Sequence, residues 1–463
     1  MRMRQLVSKS ADPVSTTQLR TGAWYGDEII RLDFPADWEI CEVWPTTPPS
    51  LTDEEIAASL ESPVGQPPMK QMCQGKSRPL VIVDDLNRPT PASRVLPFLL
   101  KQFREAGISA QDVRILMAGG THGKAQTDAM LKKVGVEAAA SCQLIMHDYK
   151  GDLVNVGITS FGTPILVNKE VVSSDFIVGI GGIYPNHTAA FGGGSKLALG
   201  VLGMRSIMHL HYRHKAMGWG VSETDSTFRK DLDEIARAIR LNTVISLQVN
   251  ADRDVIRLDC GDHLVYYKQA VTFAKKAFGG SIRTDPDVVI SNAYPNDLSL
   301  TFVRMKGMVP LRYCRDGASR VAIASCCEGV GEHGLFPLIA PRFHRARSIF
   351  RQLSVLSPSE IGQKVAGRLK QGLAPTFGRH GRRRSTASKS KSDHPILLYQ
   401  SGHRCESLPH QIRGIRVTCS WSDVLQTIEK EQGGKKHLKV LIYPCAPLQC
   451  FNHHEEEMTG EHA

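Results

Sequence analysis

The chain has 463 residues, 41% of them hydrophobic, and a formal net charge of +11, which gives room for two or more domains with their own cores. No run is long and apolar enough for a membrane helix, and the start, MRMRQLVSKSADP, has no apolar signal core, so a cytoplasmic protein with no membrane partner is expected. Eleven scattered cysteines without a C-x-x-C pair exclude a zinc ribbon or a disulfide framework.

The first 75 residues read as strands over Glu28–Phe34 and Trp38–Val43, a proline-rich loop and a short acidic helix from Thr52. Pro79–Val83 is a buried strand that runs at once into Asp84-Asp85-Leu86-Asn87-Arg88-Pro89-Thr90-Pro91. Two acids and an arginine beyond a strand's carboxyl end occupy the usual ligand position of an open α/β sheet; Thr90 or Asp85 as the cap of an apolar helix over Val95–Ala106 is the plainer reading. Val113–Ala118 repeats the pattern, with Gly119-Gly120-Thr121-His122-Gly123 after it. His147-Asp148, after the strand Gln143–Met146, reads as a hydrogen-bonded pair at a strand end.

Phe176–Ile180 is a strand buried on both faces, followed by GGIYPNHTAAFGGGSKLALGVLGMRSIMHLHYRH, residues 181–214. Ser195 before Lys196 and Leu197 after it exclude a Walker A loop. Glycines 192–194 let the backbone approach an anion closely, although from local sequence alone a glycine turn with a solvated lysine is the favoured reading. On a helix over Ser206–Arg213, His209 and His211 point to different sides, so one histidine reaches the loop, the others face solvent, and a three-histidine zinc site is excluded. A helix over Asp231–Leu241, a strand over Thr243–Asn250 and a helix over Leu264–Phe278 lead to Gly279-Gly280-Ser281, the expected boundary between domains 1–278 and 282–463. The second opens with the strand Val288–Ile290, the turn Ser291–Asp297 and Lys306, then the strand Arg320–Ala324 and a glycine-rich loop, Glu328–Gly334. Residues 342–391 hold thirteen Lys and Arg against Glu360 alone, which leaves the rest of the chain near neutral. With no aromatic residues among Arg382, Arg383 and Arg384, this stretch reads as a mobile, solvated insertion and not as a nucleic-acid surface. Pro395–Tyr399, a helix over Ser422–Glu431 and Leu438–Tyr443 close a second α/β layer, with a solvated tail at His453-His454.

The histidine, the glycine-rich turn, Lys196 and His211 together resemble the signature of the lactate racemase family. Asp85, Arg88 and Pro89 match its Asp-x-Thr-Arg-Pro motif with Asn87 in place of threonine. His122 lies in its Gly-Thr-His motif, and Lys306 follows its Tyr-Pro-x-Asp turn. The resemblance runs well over residues 20–335 and implies two α/β domains with an active-site cleft between them. It also implies a lysine-linked nickel pincer nucleotide, made by cofactor biosynthesis enzymes, and a racemase or epimerase of a small 2-hydroxy acid that moves the C2 hydrogen as hydride. By the same resemblance Lys196 carries the cofactor with Asp85, Gly193 and Gly194 beside it, and His211 ligates nickel. His122 and His187 are the two bases, and Arg88 with Lys306 binds the substrate carboxylate. Two departures stand out: His187 aligns only through a shortened loop, and Phe302-Val303 replaces the family's Tyr-Gln. A non-catalytic homologue that binds an anionic metabolite or the nickel cofactor is the alternative.

Overall fold

A computed structural model of the chain describes residues 3–5, 14–123, 126–220, 225–281, 285–338, 355, 359–360, 394–402 and 408–452. The apolar runs read as buried strands assemble into two largely parallel sheets, so the fold is α/β, as expected. In the six-stranded sheet the order is Val255–Gly261, Thr243–Val249, Phe176–Gly182, Pro79–Asp84, Arg114–Ala118, Gln143–Met146. Only its edge strand Val255–Gly261 is antiparallel. Pro79–Asp84 and Phe176–Gly182 are buried at every position. Their side chains alternate between two cores, as the two-residue period of a strand requires. Val81 and Val83 pack with Leu96, Leu99 and Phe103 on one face. Leu80 and Ile82 pack with Ile207, Leu210, Phe228 and Leu232 on the other.

The eight-stranded sheet runs Met3–Gln5, Glu39–Val43, Lys439–Tyr443, Val288–Asn292, Ser319–Ala324, Ile396–Gln400, Ile415–Thr418, Gln411–Ile412. Its first two strands come from the chain's beginning, so the chain enters this sheet, leaves it for the other and returns. One boundary at 279–281 does not describe that path, because residues 1–278 contribute strands to both sheets. Gly279–Ser281 is itself a strand, parallel to Cys450–Asn452, with its backbone polar groups engaged. Two hairpins, Val14–Thr21 with Glu28–Pro35 and Leu153–Ile158 with Pro164–Asn168, lie outside the sheets.

The helix read from Thr52 is Asp53–Glu61, begun by a capping box in which Thr52 Oγ1 accepts from the Glu55 backbone N–H and the Glu55 carboxylate accepts from that of Thr52. Asp297 sews the early chain to the second sheet: its carboxylate accepts from the backbone N–H of Gly22 at 2.7 Å, of Ala23 at 3.2 Å and of Ser325 at 3.2 Å. No helix among the described residues is long and apolar enough to cross a membrane. Except for residues 355, 359 and 360, the basic stretch 342–391 lies outside the described residues, as does the tail at His453-His454. Glu360 forms an ion pair with Arg213 at 2.8 Å.

Candidate active site

Three loops leave the carboxyl ends of adjacent strands in the six-stranded sheet: residues 84–91, 119–123 and 183–195. The first is wound around Lys133, whose side chain is fully buried in the helix Thr127–Val134. Its ammonium pairs with Asp84 Oδ1 at 2.7 Å and donates to the carbonyls of Asp85 at 2.9 Å and Arg88 at 3.0 Å. The other Asp84 oxygen accepts from Thr90 Oγ1 and from the N–H of Gly182, tying the loop to the neighbouring strand end. Burial lowers the Lys133 pKa despite Asp84, which marks how much the pairing must offset.

Held this way, Asp85 faces His122, whose Nδ1 lies 2.5 Å from Asp85 Oδ2. Burial raises the Asp85 carboxyl, but His122 and Arg88 outweigh it and hold the group well below the usual carboxylate range. Burial in turn pushes His122 down against the pull of Asp85. An ionised Asp85 accepts from Nδ1–H of a neutral imidazole, which leaves the His122 Nε2 lone pair as a base. Arg88 remains 20% exposed at the rim, 4.0 Å from Asp85.

Beyond Gly182, the glycine turn folds back on its own strand. Gly193 has φ +75°, and a Cβ there would lie 2.5 Å from Ile183 Cγ1; Gly194 has φ +56°, and a Cβ there would meet the Tyr267 ring at 2.9 Å. Only glycine fits both positions. Arg229 fastens the turn by donating to the carbonyls of Gly193 and Phe191 while its guanidinium stacks on Tyr267, and Ser195 donates to Asp233. Lys196 then opens the short helix Lys196–Leu199. Its amine has no hydrogen-bond or ion-pair partner among the described residues, and burial with Arg88 and Arg229 nearby pushes it down to about 7.

His211 sits on the helix Met204–Arg213, with Phe228 and Phe336 beside its ring. Its Nδ1 donates to the Ile207 carbonyl at 2.8 Å, so Nε2 holds the lone pair, and burial pushes the group down to about 4. His209 and His214 do not face solvent. They join a buried network through Thr163 and Asp231 on the other side of the helix. His147 bonds Asn168 and the Leu202 carbonyl, not Asp148.

From the second sheet come Lys306, in one turn of π-helix, and the loop at His333. Lys306 is 8% exposed and donates to the Asn87 carbonyl at 3.1 Å; burial and Arg88 push it well below the ordinary lysine range. Phe302 puts its ring 4.7 Å from His122, while Val303 is fully buried. The site thus brings together Asp85, Arg88, His122, Lys196, His211 and Lys306, each of which shifts the pKa of another in the group or is shifted by one.

His187 is not in this buried group. It is exposed on the turn after Asn186, whose side chain caps the Thr188 and Ala189 N–H groups. Among the described residues no three His, Cys, Asp or Glu side chains form a protein-only metal site. Lys133, Arg229, Tyr267 and His333 escaped the sequence reading. A Lys133→Met protein is expected to lose about 3–5 kcal/mol of stability in urea unfolding, since Asp84 would keep a buried charge without its partner. An unchanged unfolding midpoint would show that the pair is not what fixes the loop.

The similarities to known proteins fit this arrangement. Residues 25–220 match the family model for the lactate racemase N-terminal domain. The lactate racemase of Lactiplantibacillus plantarum is 25% identical over 296 residues, and that of Thermoanaerobacterium thermosaccharolyticum 26% over 297, each alignment covering 62% of this chain and 69% of the relative. Among solved structures, the lactate racemase apoprotein of T. thermosaccharolyticum superposes with a TM-score of 0.66 at 19% identity, over 94% of this chain and all of the other. A Thermotoga maritima protein superposes with 0.55 at 15% identity, over 87% of this chain and 99% of the other. The chain is thus similar to lactate racemases: residues 25–220 match their N-terminal domain, the two sequence relatives are lactate racemases, and the fold is that of a lactate racemase apoprotein.

Proposed function

We propose that this chain interconverts the two configurations at C2 of a 2-hydroxy acid. The observation that carries the reading is the convergence, on one small volume, of two cationic side chains, Arg88 and Lys306, with the Asp85-oriented imidazole of His122. The cations suit a carboxylate: Arg88 offers a planar, two-pronged donor at the rim and Lys306 a point charge inside. His122 Nε2 is then the acceptor for the C2 hydroxyl proton, and Asp85 stabilises the imidazolium that forms. The buried Phe302 ring beside His122 excludes water from the reacting carbon.

The residues also fit a lysine-linked nickel pincer nucleotide. Lys196 supplies an amine that is half neutral near pH 7, and only a neutral amine attacks an electrophile. The glycine turn leaves the space that a Cβ would take, and His211 offers Nε2 as a single protein ligand to nickel. When bound, that group supplies an acceptor for the C2 hydrogen as hydride, so no dianionic carbanion need form. Substrate carboxylate, Arg88 and Lys306 would stay paired while His122 takes and returns the hydroxyl proton. Exposure of His187 is the one observation that favours the alternative of a non-catalytic homologue, because racemisation calls for a proton acceptor on each face.

Two outcomes are expected. Amine-selective labelling of Lys196, followed by peptide mass spectrometry, rises with a midpoint near pH 7 as the amine loses its proton, while solvated lysines respond only in the ordinary lysine range; a midpoint in that range would remove the activated amine. Expressed with the cofactor's biosynthetic enzymes, the chain gains mass on Lys196 and binds nickel, and it racemises lactate or a related 2-hydroxy acid in a chiral assay. Lys196→Ala loses the added mass and the activity, and His211→Ala keeps the mass but loses nickel. His122→Ala keeps both and turns over at least about a hundredfold more slowly. Added mass and nickel without turnover on any 2-hydroxy acid would instead favour the non-catalytic reading.

A further inference from the structure

His333 has a place in this site that the carboxylate clamp and the base do not account for. Its backbone bridges to that of His122, and the Gly334 N–H donates to the Thr121 carbonyl at 2.8 Å, so the loop from the second sheet is pinned directly to the loop of the first. The imidazole lies 5.1 Å from the His122 ring and 5.3 Å from Phe336, between ring centroids, with Phe302 at 6.0 Å.

Its protonation is dictated by two backbone N–H groups, which can only donate. The backbone N–H groups of Leu335 at 3.2 Å and Phe336 at 3.1 Å both point at Nδ1, and the Thr121 hydroxyl approaches the same nitrogen at 3.3 Å. Nδ1 is therefore an acceptor and the ring proton sits on Nε2. The residue is 8% exposed, and its Nε2–H has no protein acceptor among the described residues. A donor with no protein partner beside a candidate base is available to an oxygen of a ligand.

We infer that His333 Nε2–H binds an oxygen on the substrate's side chain, which makes the preferred substrate a 2,3-dihydroxy acid and not lactate. The assignment rests on the 2-hydroxy acid reading above. Arg88 and Lys306 take the carboxylate and His122 takes the C2 hydroxyl, so a further fixed donor in an otherwise aromatic wall meets a further oxygen. With a bare methyl group in that place, the donor stays unsatisfied and selects against the ligand.

The test is calorimetric titration of the full chain, wild type and His333→Asn, with glycerate and with lactate. Asparagine keeps an acceptor for the Leu335 and Phe336 N–H groups, so the loop stays pinned, but it has no counterpart of the Nε2 donor. Wild type is expected to bind glycerate about tenfold or more tightly than lactate, and His333→Asn to bind the two alike. Equal wild-type affinities overturn the assignment whether or not the variant folds. So does a preference for glycerate that survives in His333→Asn, which would leave the side chain a purely structural loop cap. Binding of neither acid removes the 2-hydroxy acid reading itself, and the role of His333 with it.

Discussion

The pairing of Lys133 with Asp84 is the interaction on which the site depends. A lysine ammonium with no exposure must recover its lost hydration from neighbours, and here it gathers one carboxylate and two backbone carbonyls from a single turn. Those three bonds fix the path of residues 84–88 and therefore the directions of Asp85 and Arg88. They also fix the Asn87 carbonyl, which accepts from Asn296 at 2.6 Å and from Lys306 at 3.1 Å, both of the second sheet's half of the site. A single buried charge thus sets the geometry of Asp85, of Arg88 and of the contact between the two layers.

Around that anchor the balance of charge is uneven. Arg88, Arg229, Lys196 and Lys306 lie within range of one another, with Asp85 as the nearby carboxylate that opposes them. Burial and like charge together depress the pKa of both Lys196 and Lys306. An anion bound there would offset the like charge, though not the burial.

Much of this was legible in the sequence. The apolar runs Pro79–Val83, Val113–Ala118 and Phe176–Ile180 read correctly as buried strands, because a strand covered on both faces has no polar alternation to confuse the pattern. Motif resemblance singled out Asp85, Arg88, His122, Lys196, His211 and Lys306, which the fold brings together. What failed were residues whose role is decided by a distant partner. Lys133 stands in TDAMLKKV beside Lys132, and nothing local says which of the two is buried under a loop 45 residues away. Arg229 looks like an ordinary helix cation until the fold sets it against the Gly193 carbonyl. His333 sat in a stretch read only as a glycine-rich loop. Gly279–Ser281 looked like a domain boundary because glycine freedom is local, whereas its partner strand is 171 positions further along. His187, chosen by alignment, is left exposed by the fold.

The central claim is that the chain inverts C2 of a 2-hydroxy acid by moving its hydrogen as hydride, with His122 handling only the hydroxyl proton. One measurement addresses it most directly: a single enantiomer carrying deuterium at C2 is incubated in ordinary water with the nickel-loaded protein, and both enantiomers are recovered and analysed by mass. The account predicts interconversion with the deuterium retained at C2 in the product. Loss of the label to solvent at the rate of inversion would mean that a base removes the C2 hydrogen as a proton, and the account would be wrong.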